Sequence, residues 1–239
     1  MTRAGIASAL AVLAIVAGPA PAAAQDEGLS EVVVTAMRRD AEDYTADMPA
    51  VGLRRRADFA VAEVTVTGDS RDKAQRENEI YDMIRSAIAA APRSGVQLAY
   101  GDRTLQPLTL ANYRELLLMN DSRPDSQRVA FLVKVPLTGA TDAQAAQAAI
   151  TAFVKAVKPV GRALMNETGD LTLSVVAPDQ YRGAVADAIA ADAQAMAARL
   201  GPEYGVEIEG LNRPVEWARA GLSEVLLYVP YKLVLVPKR

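Results

Sequence analysis

Not one cysteine or histidine occurs in this chain of 239 residues, and the double absence narrows both the folds and the chemistry open to it. With no disulfide available, the apolar core alone must hold the structure. Thiol nucleophiles, Cys/His zinc sites and histidine-based triads are excluded together. An active site built here would use carboxylates, serine or threonine with lysine, or tyrosine.

The N-terminus reads as a secretory signal peptide over residues 1–24. Arg3 precedes an apolar stretch from Ile6 to Ala17, the pair Gly18-Pro19 breaks it, and Ala22-Ala23-Ala24 offers small side chains at the exit. Cleavage is expected after Ala24, leaving Gln25 first. The apolar core is shorter than the roughly 20 residues a membrane anchor needs. No later stretch has spanning length, and no cysteine is present to take a lipid. The expectation is a periplasmic protein, with association at the outer membrane left open. About 215 residues then remain, enough for one large domain or two small ones with a real core, and 51% of the whole chain is hydrophobic. The net charge is -3, with both signs interspersed and no basic run beyond Arg54-Arg55-Arg56. A nucleic-acid partner, which needs a concentrated positive field, is not expected.

Residues 25–58 form a polar lead-in with one short strand, Glu31 to Ala36. The pattern changes at Phe59: Val61, Val64 and Val66 with interleaved threonines predict a strand ending at Gly68-Asp69. Ser70 is placed to cap a helix in which Ile80, Ile84 and Ile88 recur every four residues, with Met83 and Ala87 beside them. Pro92 and Gly95 end it. Val96 to Tyr100 and Thr104 to Leu108 read as strands around a Gly101-Asp102 turn.

Val129, Phe131, Val133 and Val135 alternate along Arg128 to Leu137, the plainest strand in the chain. Thr141 with Gln144 has capping-box spacing, and the helix to Lys158 buries Ala149, Phe153 and Val157. A strand over Leu171 to Val175 follows, then a helix from Pro178 to Leu200 with Tyr181, Val185, Ile189, Met196 and Leu200 on one face. Strands are expected at Val206 to Leu211, Val215 to Ala218 and Leu222 to Val236. This order lacks the regular alternation of a doubly wound sheet. The fold class expected is α+β, with mostly antiparallel sheet and three amphipathic helices packed on one face.

The order of elements resembles the SIMPL-domain family of bacterial envelope proteins, which includes periplasmic immunogenic proteins. The likeness covers residues 59–236 within an expected domain of 59–239. It is carried by the phrase from Val64 to Ala74 leading into the helix with Asn78 and Ile84, and by Tyr181 to Gly201 with Ala188, Asp192, Ala193, Ala197 and Leu200. The resemblance implies a periplasmic or outer-membrane-associated protein, prone to self-assembly, with no reaction attached. A second likeness lies in Glu31, Val32, Val33, Val34, Thr35 and Ala36, which resemble the TonB box of outer-membrane receptors. There, an extended segment adds as a strand to a TonB-type envelope partner. The chain is far too short for a receptor's plug and barrel. The simpler reading of Val32 to Val34 is the first strand of the domain's own sheet.

Chemical motifs are sparse. Ser70-Arg-Asp-Lys73 matches the S-x-x-K pattern of serine β-lactamases without its companion elements. Glu203, Glu207 and Glu209 could pair as carboxylates or ligate a cation through oxygen, but Glu207 and Glu209 alternate with Val206 and Ile208 as the wet face of a strand would. Trp217 reads as a sheet anchor. No phosphate loop, dinucleotide fingerprint or EF-hand spacing occurs, so no cofactor is expected. The reading is a non-enzymatic exported envelope protein that assembles with itself or binds a partner, the alternatives being a TonB-linked accessory protein or a periplasmic hydrolase. Homo-oligomerisation is expected at the C-terminal strand. Leu227, Val229, Tyr231, Leu233 and Leu235 alternate with Leu226, Tyr228, Val234 and Val236, so both faces are apolar, and Tyr228 and Val234 are the expected contact residues. Pro230 withholds a ladder donor, which suits an edge or a bulge.

Overall fold

The computed structural model describes residues 31–34 as backbone, and residues 50–102 and 104–238. The signal segment 1–24, its cleavage point and the stretch 35–49, with Thr35 and Ala36, lie outside the described residues. The fold is α+β, with three α-helices and antiparallel strand pairings throughout the described sheets.

The core is organised around two long strands. β3 (Phe59–Gly68) and β7 (Gln127–Pro136) pair antiparallel along their whole length, from Phe59 opposite Pro136 to Gly68 opposite Gln127. Alternation of apolar residues in both strands makes this possible, because Ala60, Ala62, Val64 and Val66 share a face with Val129, Phe131, Val133 and Val135, and all eight are buried. On its other side β3 pairs with β8 (Leu164–Val176), through an irregularity between Val61 and Glu63. Beyond β8 come β1 (Glu31–Val34), β5 (Thr104–Pro107) and β4 (Gln97–Tyr100), and β4 pairs back onto β7. The ladder therefore forms a closed circuit, with short β6 (Met119–Asn120) added to the free part of β7.

Two helices cover the apolar face of β3, β7 and β8. α1 (Lys73–Ala90) presents Ile80, Met83, Ile84 and Ala87, the four-residue stripe of its sequence. α2 (Ala143–Ala156) presents Ala146, Ile150 and Phe153. Complete burial of a side chain such as Ile84 or Ile150 contributes roughly 2 kcal/mol. At the end of β3 the helix comes so near that a Cβ on Gly68 would lie 2.9 Å from the Ile80 side chain. That crowding explains a glycine there.

Both helix starts differ from the expected caps. Asp72, not Ser70, accepts the Gln75 amide at 2.7 Å, and Asp142, not Thr141, accepts the Ala145 amide at 2.8 Å. In each case a carboxylate lies next to or near a hydroxyl, and the stronger charge-assisted acceptor takes the role.

The rest of the chain builds two smaller sheets. β2 (Leu53–Arg56) and β10 (Glu216–Arg219) flank β11 (Glu224–Tyr228), while β9 (Tyr204–Glu209) pairs with β12 (Lys232–Pro237). α3 (Arg182–Leu200), entered through a 3-10 turn at Pro178–Tyr181, packs on β9, β2 and β11. Val215, Val225, Leu227 and Val229 join the same buried cluster as β3 and α1, so one core serves the two larger sheets, and Ile208 of β9 packs against it. The single C-terminal strand expected over 222–236 is two strands, parted at Val229 to Tyr231. Proline at 230 ends the first ladder, and the chain turns into a different sheet.

Candidate functional site

Ser70 and Lys73 do not form a catalytic pair. Ser70 is buried and its hydroxyl donates to Glu79 Oε2 at 2.6 Å, while exposed Lys73 faces Glu77 one turn along α1 at 3.7 Å. Glu79 also accepts from Gln75 Nε2 at 2.7 Å and from the Arg162 backbone amide at 3.1 Å. The Ser70 hydroxyl above all, then Gln75 and Arg162, holds the Glu79 carboxyl below its ordinary range against the opposing effect of burial. A carboxylate so stabilised is a weak base toward Ser70, and the pair acts as a clasp. Arg162 completes it with a two-pronged contact to Asp69 at 2.6 and 2.9 Å, which lowers the Asp69 carboxyl as well. Beneath lies Arg76, buried, donating to Gln127 Oε1 at 2.8 Å and to the Ser70 carbonyl at 2.6 Å. These groups join the start of α1 to the approach of β8 and the start of β7.

The C-terminal acidic residues are dispersed. Glu207 lies opposite Val234 in the β9–β12 ladder, and Glu209 meets Lys232 at 3.8 Å on the exposed surface. Among the described residues no group of three or more acidic side chains gathers as a metal site would require. Trp217 lies opposite Leu227 and packs against the core, as a sheet anchor does.

The two residues expected to meet across a self-association surface fall in different sheets. Tyr228 is buried on β11, which has neighbours on both sides, β10 and β2. Val234 is half-buried on β12, which among the described residues pairs with β9 alone. Glu31, Val32, Val33 and Val34 form β1 and lie in register with Val176, Val175, Ser174 and Leu173 of β8, with Glu31 and Val32 also opposite Leu105 and Thr104 of β5. An envelope partner adding to this segment would have to displace it from β8.

One concavity was not anticipated. A cleft of about 1180 Å³ runs along the β4–β5 ribbon, from the end of α1 to the point where β3, β7 and β8 come together. Ile88, Pro92, Leu108 and Leu110 give it apolar walls, and Phe59 and Lys134 also line it. Lys134 faces away from α1 and α2, between Val61 of β3 and Gln97 of β4 in the ladder. It is 6% exposed, with its ammonium 4.1 Å from the centre of the Phe59 ring. The one sequence signal for this place was a charge inside the apolar run from Phe131 to Pro136. A second, shallower groove of about 720 Å³ separates the alanines of α3 from β9.

No family model, curated protein or solved structure matches the chain. No helix among the described residues is long and apolar enough to cross a membrane.

Proposed function

We propose that the chain is an exported, non-enzymatic cell-envelope protein of the SIMPL-domain type, working in the periplasm and assembling with further copies of itself through the outer edge of β12. The observation that carries this reading is the state of that edge. β12 has one neighbour among the described residues, yet Leu233, Val234, Leu235 and Val236 in succession are apolar and half-buried. A strand of this composition with an open side is a template for another strand unless it is paired or covered.

The register decides how two copies would meet. Lys238 donates its amide to the Glu203 carbonyl at 2.7 Å, in the same register that sets Lys232 opposite Glu209. Hydrogen-bonded pairs alternate along an antiparallel ladder, so Lys232, Val234 and Val236 turn their backbone groups to β9, and Leu233 and Leu235 turn theirs outward. A two-fold pairing centred on Val234 sets Leu233 against Leu235 of the second copy, and Leu235 against its Leu233. The contact is self-complementary, as a closed dimer requires. The separation of Ser70 from Lys73 and the dispersal of the acidic residues support a role in binding over one in catalysis.

Sedimentation velocity at micromolar concentration tests it. The wild-type chain should sediment as a dimer or larger. Leu235→Pro removes an outward amide without touching the β9 ladder, and should give monomers with an unchanged circular dichroism spectrum. A monomeric wild type would overturn the proposal.

A further inference from the structure

Most polar groups on the walls of the cleft beside β4 and β5 are already engaged within the fold. Asn112 pins the loop after β5: its Oδ1 accepts the Thr109 amide at 2.7 Å and the Thr109 hydroxyl at 3.1 Å, and its Nδ2 donates to the Pro107 carbonyl at 2.9 Å. Gln106 Oε1 accepts the Tyr100 hydroxyl at 2.9 Å. Lys134, the charged side chain among the described lining residues, stands against the Phe59 ring and has its interaction within the fold. What is left over is hydrocarbon surface, together with the side chains of Gln97 and Thr104, which are exposed and make no hydrogen bond among the described residues. We infer that the cleft binds a linear, uncharged amphiphile, a medium-chain alcohol being the simplest example, with its hydroxyl at the Gln97 amide and its chain along Ile88, Pro92, Leu108 and Leu110.

The walls call for the chain. A volume of about 1180 Å³ has room for it. Leu110 is 58% exposed, and Pro92 and Ala111 are exposed as well, so an alkyl chain lying there removes apolar surface from water. Because the hydrogen bonds of Asn112 already hold the loop, that wall needs little ordering on binding. The uncommitted polar groups decide the head. A glutamine amide offers a carbonyl that accepts and an NH2 that donates, and a hydroxyl can answer either. A carboxylate only accepts, and among the described lining residues no uncommitted cation would offset its loss of water. An alkylammonium would bring a second positive charge beside Lys134, which lies opposite Gln97 in the ladder. A neutral head meets neither cost.

Isothermal titration calorimetry of the chain, purified as cells produce it, with octan-1-ol, decan-1-ol and decanoate supplies the test. Affinity for the alcohols should rise with length, by up to about fourfold for each added methylene. Decan-1-ol should bind at least about threefold more tightly than decanoate. Ala111→Trp, on the exposed wall, should weaken decan-1-ol without disturbing the core. Gln97→Met, also at an exposed position, should weaken it by about two- to tenfold through loss of one neutral hydrogen bond. The inference fails if decan-1-ol does not bind, if decanoate binds as tightly or more so, if octan-1-ol and decan-1-ol bind alike, or if either variant keeps the wild-type affinity. The three ligands on the wild-type chain keep the test valid should a variant not fold.

Discussion

Replacing Gly161 with alanine should destabilise the chain through Glu79, and by an amount the structure allows to be apportioned. Gly161 has φ +55, and a Cβ built there would lie 2.3 Å from both Cδ and Oε1 of Glu79. The left-handed backbone alone costs an alanine about 1 kcal/mol. Glu79 must then swing away, giving up the Ser70 hydroxyl at 2.6 Å, Gln75 at 2.7 Å and the Arg162 amide at 3.1 Å. Bonds to a charged acceptor contribute about 1.5 to 3 kcal/mol each when dry. Glu79 is half-buried, and solvent screening reduces each to about 0.5 kcal/mol. The expected total is about 2.5 kcal/mol, or a fall in Tm of roughly 5 to 10 °C for a domain of this size. Urea unfolding followed by circular dichroism measures it. In a Glu79→Ala background the clash and the three bonds are already gone, and Gly161→Ala should cost only the backbone share, about 1 kcal/mol. An equal cost in both backgrounds would refute the reasoning, since the loss would then have nothing to do with the carboxylate.

Two further outcomes follow from the same clasp and from β1. The Glu79 carboxyl is held below its ordinary value of 4.5 in the fold, first by the Ser70 hydroxyl. Its contribution is therefore complete above that value and is lost as pH falls through the lower folded one. Glu79→Gln should flatten the acid limb of the stability curve below about pH 4.5 and leave its shape at neutral pH unchanged, as urea midpoints across pH 2 to 7 would register. Val33→Pro, in the strand lying opposite Ser174, deletes a backbone donor from the sheet. A loss of several degrees in Tm is expected, and a variant as stable as the wild type would show that β1 is dispensable to the fold.

Elements whose partners are apolar and continuous could be read from the sequence. The alternation in β7 and the four-residue stripe of α1 announce their buried faces, and both stand where the residues place them. β2 was invisible because three of its four residues are arginines. Its strand character comes from β11, whose Leu226 and Val225 lie opposite Arg54 and Arg55, and no local pattern records that. The first half of β8, Leu164 to Asp170, was missed for a similar reason. Asn166 and Thr168 lie on the side away from the helices, opposite Thr65 and Glu63, and Glu167 faces α2 through Gln147 and Thr151 instead of through an apolar side chain. The C-terminal run was legible as apolar on both faces, but not as two strands, because the turn at Pro230 depends on the two different sheets that receive β11 and β12. The cleft was hidden altogether. Its walls come from the end of α1, the β4–β5 ribbon and the loop after it, and only the lone lysine of β7 hinted that something polar was wanted on that side.

The closure of the main ladder also fixes when the molecule can be finished. β1 waits for β8, and β2, near residue 53, waits for β11, near residue 227. The earliest strands are thus completed by some of the last residues, a topology of long sequence separations that assembles slowly. A nascent chain of this kind cannot lock its N-terminal half before its C-terminal half exists.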